Sequence, residues 1–299
     1  MNGTDVVQLL LGGLAMGAIY ALVALGLYVT HLATHKVNFG QGDFMMAAAY
    51  LTIATRAAKL SLPLAIAVVV LCLGVMGWAL DRVAIRPLER KRRSIVGSYA
   101  WILTTAGVAL IVQNVIELYY GKSSQYSPPM FSGQRDNVVK FFGVGVFVEE
   151  LLVIVVASAV VLAFYLFMFR SRWGKCIQTV AFNPEVASLL GIHTQRVKVS
   201  VFVIAAVLAA FAGILIGPLV TVNPQMGLIF TIKALIVAAI GGLSNPIGIF
   251  VGGLLFGVAE AASNYFDSSF GDLYPLLAAL VLIAIKPAGL FSERAIDVR

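Results

Sequence analysis

Six stretches of this chain are apolar and almost uncharged over the length of a bilayer crossing, or close to it: residues 6–29, 60–80, 99–118, 151–169, 199–220 and 273–285. A helix needs about 20 such residues to cross the hydrocarbon core. Two further stretches are apolar but imperfect. Residues 44–55 are short, and residues 230–264 are broken at Gly241-Gly242-Leu243-Ser244-Asn245-Pro246. The broken stretch reads either as two short spans or as a re-entrant hairpin plus one span, so eight or nine crossings are expected. The runs are continuous and do not alternate with period two, which argues against a β-barrel. Hydrophobic residues make up 60% of the 299 and charged residues 12%, against roughly 45–50% and 25% in a soluble domain. A soluble enzyme, a disordered chain and a disulfide scaffold are thereby excluded. The expected fold is all-α: one polytopic transmembrane bundle over residues 1–299 with broken or re-entrant helices.

Lys and Arg set the orientation of such a bundle. Residues 82–93 carry six of them, residues 170–198 five and the tail from Lys286 three. These segments are assigned to the cytoplasm. Residues 121–148 carry three and residues 265–272 none, and both are assigned outside. Nine crossings then put the N-terminus outside and the C-terminus inside. Arg56 and Lys59 run against this scheme.

Backbone that is not helical at membrane depth must be buried in protein or line a wet cavity. One interruption contains Asn38-Phe39-Gly40-Gln41-Gly42-Asp43; the other is 241–246. Corresponding interruptions in two halves point to an inverted-repeat transporter with its substrate path at the breaks. The plain alternative is a pair of surface turns. On the first reading Asn38, Phe39, Gln41, Asp43, Ser244 and Asn245 are path candidates. Gln113 and Asn114, deep in their span, are candidates for interhelical hydrogen bonds or a cavity wall. Small residues four apart, such as Gly13 and Gly17 or Gly253 and Gly257, are read as helix-packing contacts.

Glu117, Lys233 and Glu260 are ionisable residues inside apolar runs, where charge is costly. Lys233 lies about 15 Å of helix from a turn at Leu243, and Glu260 about 25 Å. An ideal hairpin would not bring them level, so no pair is expected. Glu117 and Glu260 fall near the outer ends of their spans, where snorkelling makes charge cheap.

Several catalytic patterns are missing. Gly121-Lys122-Ser123 lacks the earlier glycine of a phosphate loop, because position 116 is Ile116. His31, His35 and His193 have no metal-ligand spacing. Asn-Pro occurs at 183, 223 and 245 but never with a following alanine, so a water-channel motif is not formed.

The segment 170–198 is the most informative. Asn183-Pro184 opens a short helix, with Asn as cap and Pro in the first turn. Gly191 closes it. Val186, Ala187 and Leu190 are expected to make its apolar face. A short amphipathic helix on a cytoplasmic loop can enter a partner's groove. A membrane subunit without its own ATP site needs such an element to be driven by an ATPase.

Here the chain resembles the high-affinity branched-chain amino-acid ABC permeases of the LivH type. Gly174, Lys175, Gln178, Ala181, Asn183, Glu185, Ala187, Leu189, Gly191 and Ile192 match that family's loop pattern. Asn38, Phe39, Gly42, Asp43 and Phe44 match a second motif, with Gly40-Gln41 where the family has Ala-His. Arg86-Pro87-Leu88, Lys233-Ala234-Leu235 with Gly241-Gly242-Leu243, and Lys286-Pro287-Ala288-Gly289-Leu290-Phe291 match three more. The resemblance implies a non-catalytic, multi-pass subunit of a bacterial inner-membrane importer. Its partners would be a second related permease, two cytoplasmic ATPases and a periplasmic binding protein. ATP and Mg would reside on the ATPases, and this chain would hold no cofactor. Asn183, Pro184, Glu185, Val186, Ala187, Leu189, Leu190 and Gly191 would form the coupling element. The cargo would be leucine, isoleucine or valine, with urea, short amides and aromatic acids carried by relatives. An ion-coupled secondary transporter and a passive small-solute channel are the competing readings.

Overall fold

The computed structural model describes residues 3–87, 96–127, 138–141, 144–243, 245–267, 271, 273–286 and 289–290. The helices are α1 (Gly3–Thr34), α2 (Gln41–Ala57), α3 (Leu62–Ala79), α4 (Val96–Tyr120), α5 (Val148–Arg170), α6 (Arg172–Phe182), α7 (Pro184–Leu189), α8 (Thr194–Ile216), α9 (Met226–Gly241), α10 (Pro246–Phe266) and α11 (Leu273–Ile285). A π-helical turn, Leu80–Ile85, continues α3. Six of these helices are long and apolar enough to cross a membrane; α9 and part of α11 are shorter apolar helices. A two-stranded antiparallel hairpin, β1 (Val138–Phe141) and β2 (Val144–Phe147), sits between α4 and α5. Nothing in the apolar periodicity announced it.

Side-chain contacts give the directions. Gly12 faces Glu150 and Tyr28 faces Phe164, so α1 and α5 run parallel. Gly13 abuts Gly257 and Gly17 abuts Gly253, so α1 and α10 run antiparallel at backbone contact. The small residues four apart thus do pack helices, as a missing Cβ allows. One face of the bundle carries the start of α1, the hairpin and the end of α10. The opposite face carries the end of α1, the pair α6–α7 and the turn between α9 and α10.

The chain re-enters the bundle after α1. His35 takes a positive φ of 52°, and residues 36–40 double back beside α1. The Gln41 side chain lies against Gly26, which is about 12 Å of helix above the end of α1. From there α2 continues outward until Tyr50 meets Tyr120 and the Val222 carbonyl. The same path recurs upside down. Helix α8 rises past Met45 and Ala48 at Gly213, residues 217–225 double back, and α9 starts at Met226 inside the bundle. Its Gly227 touches Asp43 of α2.

The two breaks share their local chemistry. Asn38 Oδ1 accepts the Gly40 N–H at 3.1 Å, and its carbonyl accepts the Gln41 N–H at 3.2 Å. Asn223 Oδ1 accepts the Gln225 N–H at 3.0 Å, and its carbonyl accepts the Met226 N–H at 3.3 Å. An Asn side chain bonding the backbone two residues on is what lets each extended segment turn into a helix. The packing follows suit: α3 lies on α8 as α10 lies on α1, and α2 packs on α4 as α9 packs on α11. The bundle is therefore an inverted repeat, but its second break is 217–225. Residues 241–243 and 245–246 are helix-end and turn backbone between α9 and α10. Gly242 supplies a positive φ of 77°, and Asn245 caps α10 by accepting from Ile247 and Gly248. Leu290 donates to the Ile240 carbonyl at 2.8 Å, so residues 289–290 dock on the end of α9.

Candidate functional site

The half-helices α2 and α9 meet at the centre of the bundle. A Cβ on Gly42 would overlap the Gly227 carbonyl, and one on Gly227 would overlap the Asp43 side chain. The Gly42 N–H donates to Thr231 Oγ1 at 2.9 Å. Both helices bring their positive N-terminal ends to this crossing.

Three path candidates, Asn38, Gln41 and Asp43, gather here and are buried. Asn38 donates to Gln41 Oε1 at 3.2 Å, and Gln41 Nε2 donates to the Ala205 carbonyl of α8 at 2.7 Å. Their hydrogen-bonding atoms are thus taken up by the protein. Phe39 is half-buried against Trp101 of α4, with ring centroids 6.1 Å apart. Gln113 is half-buried one turn from Glu117, to which it donates at 3.4 Å. Asn114 is exposed and bonds back to the Leu110 carbonyl at 2.7 Å. Asn245 lies away from the crossing, in the turn it caps, and Ser244 is outside the described residues.

A second polar centre lies on the hairpin side of the crossing, contrary to expectation. Lys233 Nζ sits 3.0 Å from Glu260 Oε1, and Tyr20 Oη donates to the same oxygen at 2.9 Å. Lys233 Nζ is also 5.5 Å from the centre of the Tyr20 ring. Phe230 and Phe256 pack on that ring. The real helices end at Gly241 and begin at Pro246, which leaves an axial offset of about 9 Å. Gly241 packs against Ile249 and Gly252, several residues into α10, which shifts the two helices along each other, and two extended side chains close the rest. Glu260 is also 8% exposed, so it does not snorkel. Beyond it opens a cavity of about 220 Å³ lined by Gly13, Glu150, Glu260 and Asn264 among others. Glu150 and Glu260 each keep one buried carboxylate oxygen without a hydrogen bond among the described residues. This cavity therefore offers acceptors to a small donor.

The α6–α7 element is built as a rigid projection. Ser171 caps α6 by accepting from Gly174 at 2.9 Å. A side chain at Gly174 would strike the Phe167 and Met168 carbonyls, so the glycine lets α6 fold back on α5. Gln178 then donates to the Met168 carbonyl at 2.7 Å. Asn183 caps α7, accepting from Glu185 and Val186 at 2.9 and 3.1 Å, and Pro184 occupies its first turn. Gly191 ends it with a φ of 80°. The expected apolar face divides in two. Ala187 turns inward and is buried, while Val186, Leu189 and Leu190 point out together with Phe182, which is 93% exposed. The sequence reading missed α6 and Phe182, although Ser171, Gly174 and the strong amphipathicity of 172–182 were there to be used. It also missed Thr231 and Gly227. The signal for those was the repeat Asn38-x-x-x-Gly42 and Asn223-x-x-x-Gly227.

Known proteins resemble the chain over nearly its whole length. Residues 9–286 match the family described as branched-chain amino acid transport system / permease component. The high-affinity branched-chain amino acid transport system permease protein LivH of Salmonella typhimurium is 28% identical over 97% of this chain and 96% of its own. The corresponding protein BraD of Pseudomonas aeruginosa is 29% identical over 97% of each. Among solved structures, PsaBC from Streptococcus pneumoniae in complex with Fab covers 92% of this chain and 89% of its own at 13% identity, with a TM-score of 0.48.

Proposed function

Since this chain belongs to the family of permease components of branched-chain amino acid transport systems, we propose that it forms half of the membrane pathway of an ATP-driven importer. The other half is a second permease chain. Two ATPases bind the α6–α7 face, and a periplasmic binding protein delivers cargo to the hairpin face. The N-terminus is then outside and the C-terminus cytoplasmic, in a bacterial inner membrane. The cargo is a branched-chain amino acid or a related small polar solute. ATP and Mg are held by the ATPases, and this chain does no chemistry of its own.

The observation that carries this reading is the apolar knob Phe182, Val186, Leu189 and Leu190, held out on a doubly capped element. Exposed apolar side chains on a polar loop mark a protein contact. An ATPase that moves this knob moves α8, because α7 runs into α8 through Gly191. Helix α8 carries the Ala205 carbonyl that holds Gln41. A packed, hydrogen-bonded chain thus leads from the knob to the first break. The crossing of Gly42 with Gly227 acts as the pivot. Phe39 and Gln113, which keep accessible surface, line the path, while Asn38 and Gln41 set the conformation of the segment that carries Phe39. ATP then shifts the bundle between two accessible states by binding one of them better.

Uptake of leucine into liposomes containing the chain, its second permease and the ATPases should require ATP and binding protein. Uptake without ATP would replace this reading with a channel or an ion-coupled carrier. Leu189→Asp with Leu190→Asp should lower uptake by at least about tenfold, the equivalent of 1.4 kcal/mol of coupling. Membrane insertion should be unchanged. Normal coupled uptake in that variant would remove the knob from the mechanism.

A further inference from the structure

On the α6–α7 face, an open cavity of about 800 Å³ lies between the end of α3 and the start of α8. Three guanidinium groups line it: Arg82 and Arg86 from the π-helical turn and its flank, and Arg196 from the first turn of α8. Among the described residues, no Asp or Glu lines it. Two further observations ask for an anion. The N-cap of α8, His193, makes no side-chain hydrogen bond to the helix, as is also the case in α2, α3, α5 and α9. The Arg196 and Val197 amides donate to the His193 carbonyl, which leaves those of Thr194 and Gln195, at the cavity wall, for another acceptor. Gln195 also lines the cavity, and its Nε2 is buried without a hydrogen-bond partner among the described residues.

The cavity opens along a membrane span. Trp78, seven residues before the end of that span, lines the cavity and is 49% exposed, and indole rings favour the headgroup boundary. Leu71, Val75 and Val83 on the same helix are exposed apolar side chains. We propose that this cavity binds the phosphate of an anionic phospholipid, with the acyl chains lying along α3. Basic pockets between spans near the cytoplasmic surface are suited to such headgroups. A protein carboxylate from an ATPase would also satisfy the arginines, but only a lipid uses both the basic cavity and the lipid-facing flank of the span that forms its wall. Ser188 and Gly191, at the end of the knob helix, line the same cavity. A bound headgroup therefore braces α7 against α3 and joins lipid composition to coupling.

The test uses the full chain in nanodiscs, with Trp101→Phe and Trp173→Phe leaving Trp78 as its one tryptophan. Phosphatidylcholine discs are doped with brominated phosphatidylglycerol or brominated phosphatidylcholine, and quenching of Trp78 is followed. Phosphatidylglycerol should quench preferentially. The preference should fall roughly fivefold for each arginine lost in Arg82→Gln and Arg196→Gln. Arg82→Lys with Arg196→Lys keeps the charge and should keep much of the preference, which separates loss of the site from misfolding. Equal quenching by both lipids, or a preference surviving both glutamine changes, overturns the proposal. Displacement of the preference by free glycerol phosphate would overturn it in favour of a soluble anion. Intact lipid preference in the glutamine variants with loss of ATPase co-purification would overturn it in favour of a protein carboxylate.

Discussion

Glu260→Leu is expected to be among the most damaging single substitutions in this chain. It leaves the Lys233 ammonium buried beside Tyr20 with its carboxylate gone. Breaking a buried pair from one side costs about 3–5 kcal/mol, because the remaining charge is uncompensated. Lys233→Met should cost a similar amount for the mirror reason. The double variant Lys233→Met with Glu260→Leu should recover much of the loss, since no buried charge is left behind. Tyr20→Phe removes a hydrogen bond to a charged group, worth about 1.5–3 kcal/mol. Thermal unfolding of the four variants in detergent, monitored by intrinsic fluorescence and by size exclusion after heating, checks the order. Single variants as stable as the unsubstituted chain would mean that the centre is hydrated and energetically minor. A double variant no better than the singles would mean that packing around Phe230 and Phe256, and not charge, carries its weight.

The second large effect lies at the crossing. Gly42→Ala should prevent folding or abolish transport. Its Cβ would overlap the Gly227 carbonyl and sit 2.6 Å from Thr231 Oγ1 and 2.8 Å from the Thr231 nitrogen. Backbone on the opposing half-helix cannot rotate away as a side chain can, so the cost belongs at or above the upper end of about 1–3 kcal/mol for overpacking. Gly107→Ala in α4 is the matched control, because a Cβ there meets nothing within 4 Å. It should be neutral, or stabilising by up to about 1 kcal/mol through a stiffer helix. Yields of monodisperse protein and uptake rates for the two variants give the comparison. Equal behaviour would mean that the crossing is looser than this packing requires.

The local elements were legible because their causes are local. Asn183, Pro184 and Gly191 bracket a helix through their own side chain, ring and positive φ, and the helix is where those residues put it. The first break was legible for the same reason, as Asn38 acts on the backbone of Gly40 and Gln41, two and three residues away. The second was misplaced to 241–246, where Gly242 and Asn245 give equally strong turn chemistry. A turn at the surface and a turn inside the bundle use the same local bonds. What distinguishes 217–225 is packing against Tyr50 of α2 and against Gln125 and Ser127, residues far along the chain. Ala187 likewise faces inward because of its neighbours, while the periodicity of six residues could not tell it from Leu190.

The amino-acid sequence by itself determined that the chain is a membrane-spanning helical bundle, because long uncharged runs cannot be hidden from water in any other way. It also determined where α7 begins and ends, through Asn183-Pro184 and Gly191. Only the tertiary structure decided that Lys233 meets Glu260, that the two half-helices cross at Gly42 and Gly227, and that three arginines surround an uncapped helix start. Each of these joins residues separated by tens to hundreds of positions. The energy that brings them together comes from close packing of whole helices, which no single segment encodes.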